Sequence, residues 1–467
     1  MQSKAINVTD ESRGIVPTIL LLAWPVFVEQ ILTTLVSFVD TAMVGSMGPT
    51  ATASVTISNS PIFLLNGLFM ALGTGVTALT ARAVGAGETD NVKKVIEHAV
   101  LALFAIGLPI ALVMIALHRM IPVWMGAEAA IIDTAATYNL ITGFGRFFVM
   151  ASMILGACFR GYGDTRTPMI INIIMNIENV IGNYLLIYPV RTVTFLGRSF
   201  TMWGAGLGVA GAAIATAIGM ITAGSIAMGM TLSKKNVYSV RLRDCFRMDR
   251  KLSGRILSIS FPSMLERSCM SLAGIVTART VATLGTIAIA ANSLALTGES
   301  LSFMPAFAFQ IAVTTLVGQC LGAGKPDLAH RFIRTTMLMA IITMSFTGMI
   351  IYVFATPIIS FFTPSAEVIA MAAVCLRIIA VVQPVQVAGW VFAGALRGAG
   401  DTKMSFYITA ATTWLIRTLL SVIAIRKLGL GLDAYIFCED LEIIARCILL
   451  WIYFSKGKWK TRLENMD

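Results

Sequence analysis

Long apolar stretches alternate with short polar segments along the whole chain of 467 residues. Each stretch holds about 20 or more residues, which is enough for an α-helix to cross a hydrocarbon core about 30 Å thick. The pattern therefore predicts an all-α integral membrane protein with twelve transmembrane helices. The predicted helices begin near Ile15, Thr52, Val95, Ala129, Pro168, Trp203, Leu252, Ala288, Ala329, Val368, Met404 and Leu430.

The second half of the chain repeats motifs of the first half 237 positions later. The segment RGYGDT at 160–165 recurs as RGAGDT at 397–402, and GAG at 85–87 recurs at 322–324. Because each half holds an even number of spans, the repeat predicts two parallel six-helix bundles around a central cavity, an arrangement typical of carriers. The predicted boundaries are 1–232 for the first lobe, 233–251 for a basic cytoplasmic linker, 252–456 for the second lobe and 457–467 for a cytoplasmic tail.

Two polar intervals interrupt the regular alternation of apolar spans and short connections. The linker is long and basic enough to form an amphipathic surface helix. Residues 190–202 have no counterpart in the second half, and we expect an extracellular turn or short hairpin there.

Composition agrees with a membrane protein and explains the charge. Hydrophobic residues make up 57% of the chain and charged residues 13%, whereas a soluble domain carries about 25% charged residues. Most of the 35 Lys and Arg residues fall on the side that holds the N-terminus. This bias predicts that both termini are cytoplasmic in a multi-pass inner-membrane protein. The formal charge of +11 therefore orients the chain and does not indicate a nucleic-acid partner.

Cysteine and histidine patterns give no sign of catalysis. The seven cysteines are scattered without a CxxC pair, and the three histidines lie far apart in sequence. No disulfide framework, metal cluster or nucleophile–base pair is indicated. We therefore expect no enzyme activity and no cofactor.

The repeated RGxGDT segments lie where the fourth and tenth spans end. We expect glycine to take a left-handed conformation at the helix end, the arginine to lie near terminal carbonyls, and the aspartate to cap the next helix. A hinge role in a conformational cycle is the alternative.

Ionisable and amide side chains inside the spans are the stronger functional clue, because a charge in the bilayer needs a partner or water. Glu29, Thr33, Ser37 and Asp40 share one face of the first span at 100° per residue. Four asparagines share one face of the fifth span: Asn172, Asn176, Asn179 and Asn183. If these faces meet, Asp40 and the amides form a site for Na⁺ or for a proton on Asp40.

The second half does not repeat this chemistry, since Asp40 maps to Thr277 and Asn183 to Leu420. Several further polar residues inside the spans are candidates for a substrate cavity: Glu29, Arg146, Asn176, Glu178, Glu266, Glu299 and Gln383. Arg146 has three open roles, which are pairing with Asp40, pairing with Glu178, or facing the cavity. Glu299 and Arg417 could equally form a structural pair.

Several motifs resemble those of the multidrug and toxic compound extrusion (MATE) family of secondary transporters. These are AWP at 23–25, VDTAMVG at 39–45, VGQ and GAG at 317–324, LRGAGDT at 396–402, and GVAGAAIAT at 208–216. The resemblance covers essentially the whole chain. It implies two six-helix bundles, a V-shaped central cavity, and export of mostly cationic compounds against Na⁺ or H⁺ entry.

The resemblance also implies roles for particular residues. Asp40 matches the family's carboxylate in the first helix, Thr216 matches a nearby threonine, and Asn179 and Asn183 match a pair in the fifth helix. One branch of the family usually has Asp at the second position of that pair. Another branch has carboxylates where this chain has Met270 and Gln383, so a cation site in the second lobe is in doubt.

The sequence therefore predicts a monomeric exporter of small organic cations in the lipid bilayer, working by alternating access with H⁺ or Na⁺ as the coupling ion. An alternative is a flippase or exporter of a lipid-linked or anionic metabolite, which would need a strongly basic cavity. A membrane enzyme and a pore are less consistent with these residues, because neither a catalytic constellation nor a filter-like segment is present.

Overall fold

The structure is a computed structural model that describes residues 8, 13–195, 198–234 and 236–461. Most of this chain is helical. The α-helices are α1 (Ile15–Gly45), α2 (Pro49–Gly85), α3 (Thr89–Ala102), α4 (Leu108–Ala116), α5 (Met120–Trp124), α6 (Ala129–Gly161), α7 (Arg166–Leu186), α8 (Gly208–Leu232), α9 (Arg250–Val281), α10 (Thr286–Gly322), α11 (Pro326–Ser360), α12 (Ala366–Gly398), α13 (Thr402–Thr412), α14 (Leu419–Val422) and α15 (Leu432–Ser455).

Short irregular helices complete several spans. π-helical segments occur at Leu103–Gly107, Thr413–Thr418 and Ile423–Lys427, and they join α3 to α4 and extend α13 and α14 into one span. Single 3₁₀ turns occur at Asp244–Phe246, Ala282–Leu284 and Lys458–Thr461. Within the described residues, the long helices and joined segments amount to twelve, so the predicted all-α architecture is confirmed.

Ten of these helical segments, among the described residues, are long and apolar enough to cross a membrane on composition alone. The other two are α9 and α15, of 32 and 24 residues, which the sequence counts as spans seven and twelve. Both carry more charged side chains than the other spans, and in α15 these include Glu439, Asp440 and Glu442. Charged groups in a spanning helix need a polar partner or water inside the protein.

The interval predicted to hold an extracellular turn or hairpin is a two-stranded antiparallel hairpin, β1 (Pro189–Phe195) and β2 (Arg198–Ala205). The prediction of a hairpin is confirmed, but the sixth span does not begin near Trp203. That residue lies in β2, and α8 begins five residues later at Gly208. The guanidinium of Arg191 packs over the rings of Tyr188 and Tyr184, at 3.9 and 4.1 Å from their centroids.

The linker contains no long surface helix among its described residues, only the 3₁₀ turn at Asp244–Phe246. Asp249 directly precedes α9, and its Oδ1 accepts hydrogen bonds from the N–H groups of Leu252 and Lys251 at 3.3 and 2.9 Å. These two backbone donors lower the pKa of Asp249. The backbone N–H of Asp249 in turn donates to Nε2 of His98 at 2.9 Å, which ties the linker to α3.

The chain forms two compact units by proximity of Cα atoms. The described part of the first comprises Val28–Val76 and Thr89–Gly254, and the second comprises Thr77–Glu88, the chain from Arg255 onward, and the start of α1 up to Phe27. Helices α1 and α2 thus contribute to both units. The lobe boundaries given above remain predictions.

Small residues allow close helix packing in the first unit. A Cβ added at Gly224 of α8 would overlap the backbone of Phe148 in α6, and one at Gly211 would overlap the backbone of Leu186 in α7. Membrane helices associate through such close backbone approaches, because lipid is as apolar as their side chains. Helix α8 is therefore held tightly against α6 and α7.

In the second unit the ends of α2 and α10 cross in an arrangement that follows the sequence repeat. A Cβ at Gly85 would overlap the carbonyl of Gln319, and one at Gly322 would overlap the carbonyl of Arg82. Since Gly85 and Gly322, and likewise Arg82 and Gln319, lie 237 positions apart, the two contacts are equivalent by the repeat. The crossing therefore lies on a local pseudo-twofold axis.

Candidate functional site

Asp40 lies near the end of α1, where α1 meets α7 in the first unit. Its Oδ1 accepts a hydrogen bond of 2.7 Å from Nδ2 of Asn183. One turn earlier on α7, Asn179 lies 3.1 Å from the hydroxyl of Thr216 on α8 and 3.3 Å from Asn183. The structure thus brings together Asp40, Asn179, Asn183 and Thr216, the four residues proposed from sequence for ion coupling. Their assignment to coupling remains a prediction.

The amide nitrogen of Asn179 faces the carboxylate of Asp40. It donates to Oδ1 and Oδ2 of Asp40 at 2.8 and 3.0 Å, while the amide oxygen accepts from the hydroxyl of Thr216 at 3.1 Å. The amides of Asn179 and Asn183 therefore both donate to one carboxylate, which suits its ionised form.

A cavity of about 180 Å³ lies beside Asp40. It is bordered by polar side chains that the sequence analysis did not assign, including Thr41, Asn59 and Tyr138, as well as by Asn183 and Thr216. This volume exceeds the ~30 Å³ share of one water molecule. Oδ1 of Asn183 is buried without a hydrogen-bond donor among the described residues. The site therefore has room for an ion with water, and a carbonyl oxygen left to bind it.

A second, more open depression adjoins this cavity. It measures about 620 Å³ and is bordered by the turn between α1 and α2, at Gly45, Gly48 and Pro49. The two spaces share Thr52 and Thr56 of α2.

Glu29 and Glu266 occupy equivalent places in the two halves. Oε1 of Glu29 accepts a hydrogen bond of 2.7 Å from Nδ2 of Asn172. Glu266 accepts from Arg397 at 3.2 Å and from Thr409 at 3.3 Å, and Thr409 is the repeat partner of Asn172. Both carboxylates are buried, with exposed fractions of 9% and 5%. Each joins the first helix of its half to the helix that follows the Arg-Gly motif.

The repeated RGxGDT segments confirm the expected glycine conformation, but only the first copy has the expected aspartate cap. Gly163 and Gly400 have φ of +87° and +75°, which confirms the left-handed helix ends. Asp164 caps α7, since its Oδ1 accepts from the N–H groups of Arg166 and Thr167 at 3.1 and 3.0 Å.

The second copy of the motif departs from this pattern. Asp401 does not cap α13 with its side chain and instead accepts a hydrogen bond from the hydroxyl of Tyr453. The guanidinium of Arg397 contacts Glu266 at 3.2 Å.

Three further candidates in the first unit are buried or half-buried. Arg146 is 3% exposed and forms no ion pair with any residue that the structure describes. Nδ2 of Asn176 and Oε2 of Glu178 are buried, and neither has a hydrogen-bond partner among the described residues. Neither pairing considered for Arg146, with Asp40 or with Glu178, is present.

In the second unit, Glu299 and Gln383 lie in a polar network. Glu299 accepts from Nε2 of Gln386 at 3.3 Å, and Gln383 donates to the hydroxyl of Ser302 at 2.7 Å. Arg417 pairs with Glu439 at 2.6 Å, so the possible Glu299–Arg417 pair is not formed as a direct contact. Glu439, Asp440 and Glu442 are not among the site residues predicted from sequence, although three acids within one span are a visible signal.

In the described residues, twelve long helical segments, motifs that repeat after 237 positions and a partly buried carboxylate with amide neighbours are typical of the class of secondary transporters. A family model described as MatE matches residues 25–185 and 262–423, and these two stretches begin 237 residues apart. The chain belongs to the MatE family, whose members are transporters and not enzymes.

Similar proteins cover nearly the whole chain. It is 28% identical to the "Probable multidrug resistance protein NorM" of Thermotoga maritima over 94% of this chain and 92% of that protein. It is 28% identical to the "Multidrug resistance protein MdtK" of Edwardsiella ictaluri over 85% of each. A crystal structure of a MATE protein in complex with MaL6 matches with a TM-score of 0.86 and 21% identity over 99% of both chains. These similarities agree with the twelve-helix fold.

Proposed function

We propose that this protein exports small organic cations from the bacterial cytoplasm across the inner membrane, in exchange for entering H⁺ or Na⁺ bound at Asp40. The observation that carries the proposal is the cluster of Asp40, Asn179, Asn183 and Thr216 beside a cavity. It lies in only one half of a duplicated scaffold, because Thr277 and Leu420 replace Asp40 and Asn183 in the other half. A partly buried carboxylate with amide neighbours can bind one small cation and release it again.

The amides around Asp40 support a cycle of loading and release. When ionised, the carboxylate accepts hydrogen bonds from the amides of Asn179 and Asn183. A proton or a small cation on Asp40 competes with these two donors. Ion binding thus changes the hydrogen bonds between α1, α7 and α8.

The proposed ion route follows the two adjoining spaces of the first unit. An ion entering at the turn between α1 and α2 would pass Thr52 and Thr56 and reach Asp40. The charge bias predicts that this turn faces the outside, which is the side from which a coupling ion enters. Binding then changes the packing of α1, whose Pro25 lacks a backbone donor and permits bending.

Alternating access follows from the duplicated bundles. The paired crossing of Gly85 and Gly322 supplies a contact about which two halves can rock while remaining together. The substrate is proposed to bind in a central cavity between the lobes, with both termini cytoplasmic and the monomer as the working unit. The names of the relatives, two multidrug resistance proteins, support several drug-like substrates.

An anionic or lipid-linked substrate has less support. It would require exposed cationic side chains within the bundles. Arg146, the residue that raised this alternative, is 3% exposed and so offers no open basic surface.

The test is substrate efflux from proteoliposomes with an imposed proton or sodium gradient, using organic cations and an anionic amphiphile as probes. Asp40→Asn should reduce gradient-driven efflux of cations at least about tenfold, since one lost charge-assisted interaction is worth ~1.5–3 kcal/mol. The matched control is Asp133→Asn, an exposed carboxylate of the same unit. Wild-type rates in Asp40→Asn would refute the proposal, and gradient-driven movement of the anionic probe alone would favour the alternative.

A further inference from the structure

The hairpin between α7 and α8 contacts the end of α1, the helix that carries Asp40. Tyr188 lies between the end of α7 and the start of β1, and its hydroxyl is 2.9 Å from Oγ of Ser46 in the turn after α1. The hydroxyl of Ser46 donates to the carbonyl oxygen of Met43 at 2.7 Å, so its oxygen is left to accept from Tyr188. The Tyr188 hydroxyl is also 3.4 Å from the Met43 carbonyl, a longer contact. We call these hydrogen bonds the hairpin–α1 relay.

The backbone around Tyr188 is bound on the hairpin side, so its hydroxyl has a defined position. The carbonyl of Tyr188 accepts from the N–H of Gly206 at 2.9 Å, and the carbonyl of Leu186 accepts from Leu207 at 2.9 Å. A Cβ added at Gly204 would overlap the carbonyl of Tyr188, which shows how closely the two strands approach. These contacts connect Tyr188 to β2 and to the residues just before α8.

The ring of Tyr188 is held by a cation that also packs on a second tyrosine. The guanidinium of Arg191 lies over the rings of Tyr188 and Tyr184, whose centroids are 6.3 Å apart. The hydroxyl of Tyr184 has no hydrogen-bond partner among the residues that the structure describes. The two tyrosines therefore share a stacking partner, and only Tyr188 is hydrogen-bonded to the end of α1.

Apolar contacts surround the relay but do not replace it. The ring of Tyr188 packs against a buried cluster formed by Val44, Ala51, Ile187 and Ala212. Apolar attraction has no preferred direction, so such a cluster permits α1 to slide or rotate. A hydrogen bond requires a defined distance and angle. The relay is therefore the contact that can fix the rotation of the last turn of α1.

The relay acts close to the proposed ion site. Met43 follows Asp40 by three residues, and residues at this spacing are neighbours on a helix surface. Gly45 and Gly48, on either side of Ser46, border the open depression proposed as the ion route. A change in the relay therefore affects both the position of the Asp40 carboxylate and the start of the route that leads to it.

We propose that Tyr188 is a positioning residue for the ion site, because it holds the end of α1 where Asp40 receives hydrogen bonds from Asn179 and Asn183. Without the Tyr188 hydroxyl, this end of α1 moves more freely, and the ionised carboxylate is separated from its amide donors more often. The effect on ion coupling rests on the proposed function. The attachment of α1 to the hairpin does not.

Hydrogen exchange of the purified protein, measured by mass spectrometry on peptides that contain residues 41–47, tests the attachment. Tyr188→Phe removes only the hydroxyl and keeps the ring under Arg191. We expect exchange in this segment to become about two- to tenfold faster, because one hydrogen bond changes an opening equilibrium by about that factor. Tyr184→Phe is the matched control, since it also removes a hydroxyl from a ring under Arg191. Equal exchange in the two variants would overturn the proposal.

Efflux from proteoliposomes tests the positioning role. An ionised Asp40 with fewer amide donors binds its ion more readily, so Tyr188→Phe should lower the concentration of H⁺ or Na⁺ at half-maximal efflux by about two- to tenfold. Tyr184→Phe should leave it unchanged, and a purely structural defect would lower only the maximal rate. The shift caused by Tyr188→Phe should be smaller in a Ser46→Ala background, because the relay is already interrupted there.

The two measurements together separate the possible failures. Faster exchange with an unchanged ion dependence would show that Tyr188 attaches α1 without positioning Asp40, and the proposal would be overturned. Wild-type efflux by Asp40→Asn would refute the ion site itself and with it the positioning role. Faster exchange in Tyr188→Phe would still confirm the attachment in that case, because exchange is measured without transport.

Discussion

At the scale of single residues, two hydrogen bonds of the same kind join α1 to α7. Asn172 donates to Glu29 and Asn183 donates to Asp40, each at 2.7 Å. Only Asp40 borders the cavity of the first unit. The pair therefore allows a structural contact to be compared with a proposed ion site of matched chemistry.

Asn183→Ala should change the ion dependence of transport, while Asn172→Ala should not. Loss of the donor destabilises the ionised form of Asp40, and loss of the carbonyl removes a possible sodium ligand. A sodium-coupled cycle would then need about tenfold more Na⁺ to reach half its maximal rate, because the lost interaction is worth ~1.5–3 kcal/mol. A proton-coupled cycle would instead reach half its maximal rate at a lower proton concentration.

The measurement is efflux rate in proteoliposomes as a function of external Na⁺ and of external pH. Equal behaviour of the two asparagine variants would show that Asn183 has no special relation to the ion. If the Na⁺ concentration at half-maximal efflux rises in Asn183→Ala, sodium is the coupling ion. If the proton concentration at half-maximal efflux falls, the proton is the coupling ion.

At the scale of elements, the same motif performs different local tasks in the two halves. Asp164 caps α7, whereas Asp401 binds Tyr453 of α15. The difference arises because Tyr453 reaches Asp401 in the second half. Sequence identity of a motif therefore predicted the glycine conformations correctly but not the partners of the acids.

Asp164→Ala should lower the stability of the protein by about 1–2 kcal/mol, because the first N–H groups of α7 lose their acceptor. The measurement is the midpoint of thermal unfolding in detergent. Asp133→Ala is the control, since its partner is the exposed Arg119 and surface ion pairs contribute about 0–1 kcal/mol. Equal midpoints for the two variants would contradict the capping role.

At the scale of the whole molecule, the crossing of α2 and α10 is the place where the sequence repeat becomes a spatial contact. Gly85→Ala should reduce both folded yield and transport, since the added Cβ overlaps the carbonyl of Gln319 and overpacking costs about 1–3 kcal/mol. Gly67→Ala on the same helix is the control, because nothing lies within 4 Å of its Cβ. Normal transport by Gly85→Ala would contradict a close contact between α2 and α10 during the transport cycle.

The predicted orientation can be tested by labelling single cysteines in intact cells. Val237→Cys in the linker should react only after the inner membrane is permeabilised, and Trp203→Cys in the hairpin should react from outside. Both side chains are 62% exposed. The native thiol of the linker, Cys245, is buried, and burial raises its pKa to about 11, so it should contribute little background. The reverse pattern of labelling would invert the topology.

The sequence by itself determined the twelve helices, ten of their starts to within three residues, and the duplication. Apolar length and repeated motifs are properties of the chain alone, so they can be read without coordinates. It also predicted that Asp40 and the asparagine stripe could meet, because residues three and four apart share a helix face.

Only the tertiary structure decided which polar groups are partners. It showed that Arg397 contacts Glu266, Arg417 contacts Glu439, and Asp401 contacts Tyr453. These pairs lie 22–131 residues apart, and the periodicity of the sequence gives no distance between helices. It also revealed the space beside Asp40 and the burial of Glu299. Burial and pairing depend on how helices pack against one another, and packing is not a property of any single helix.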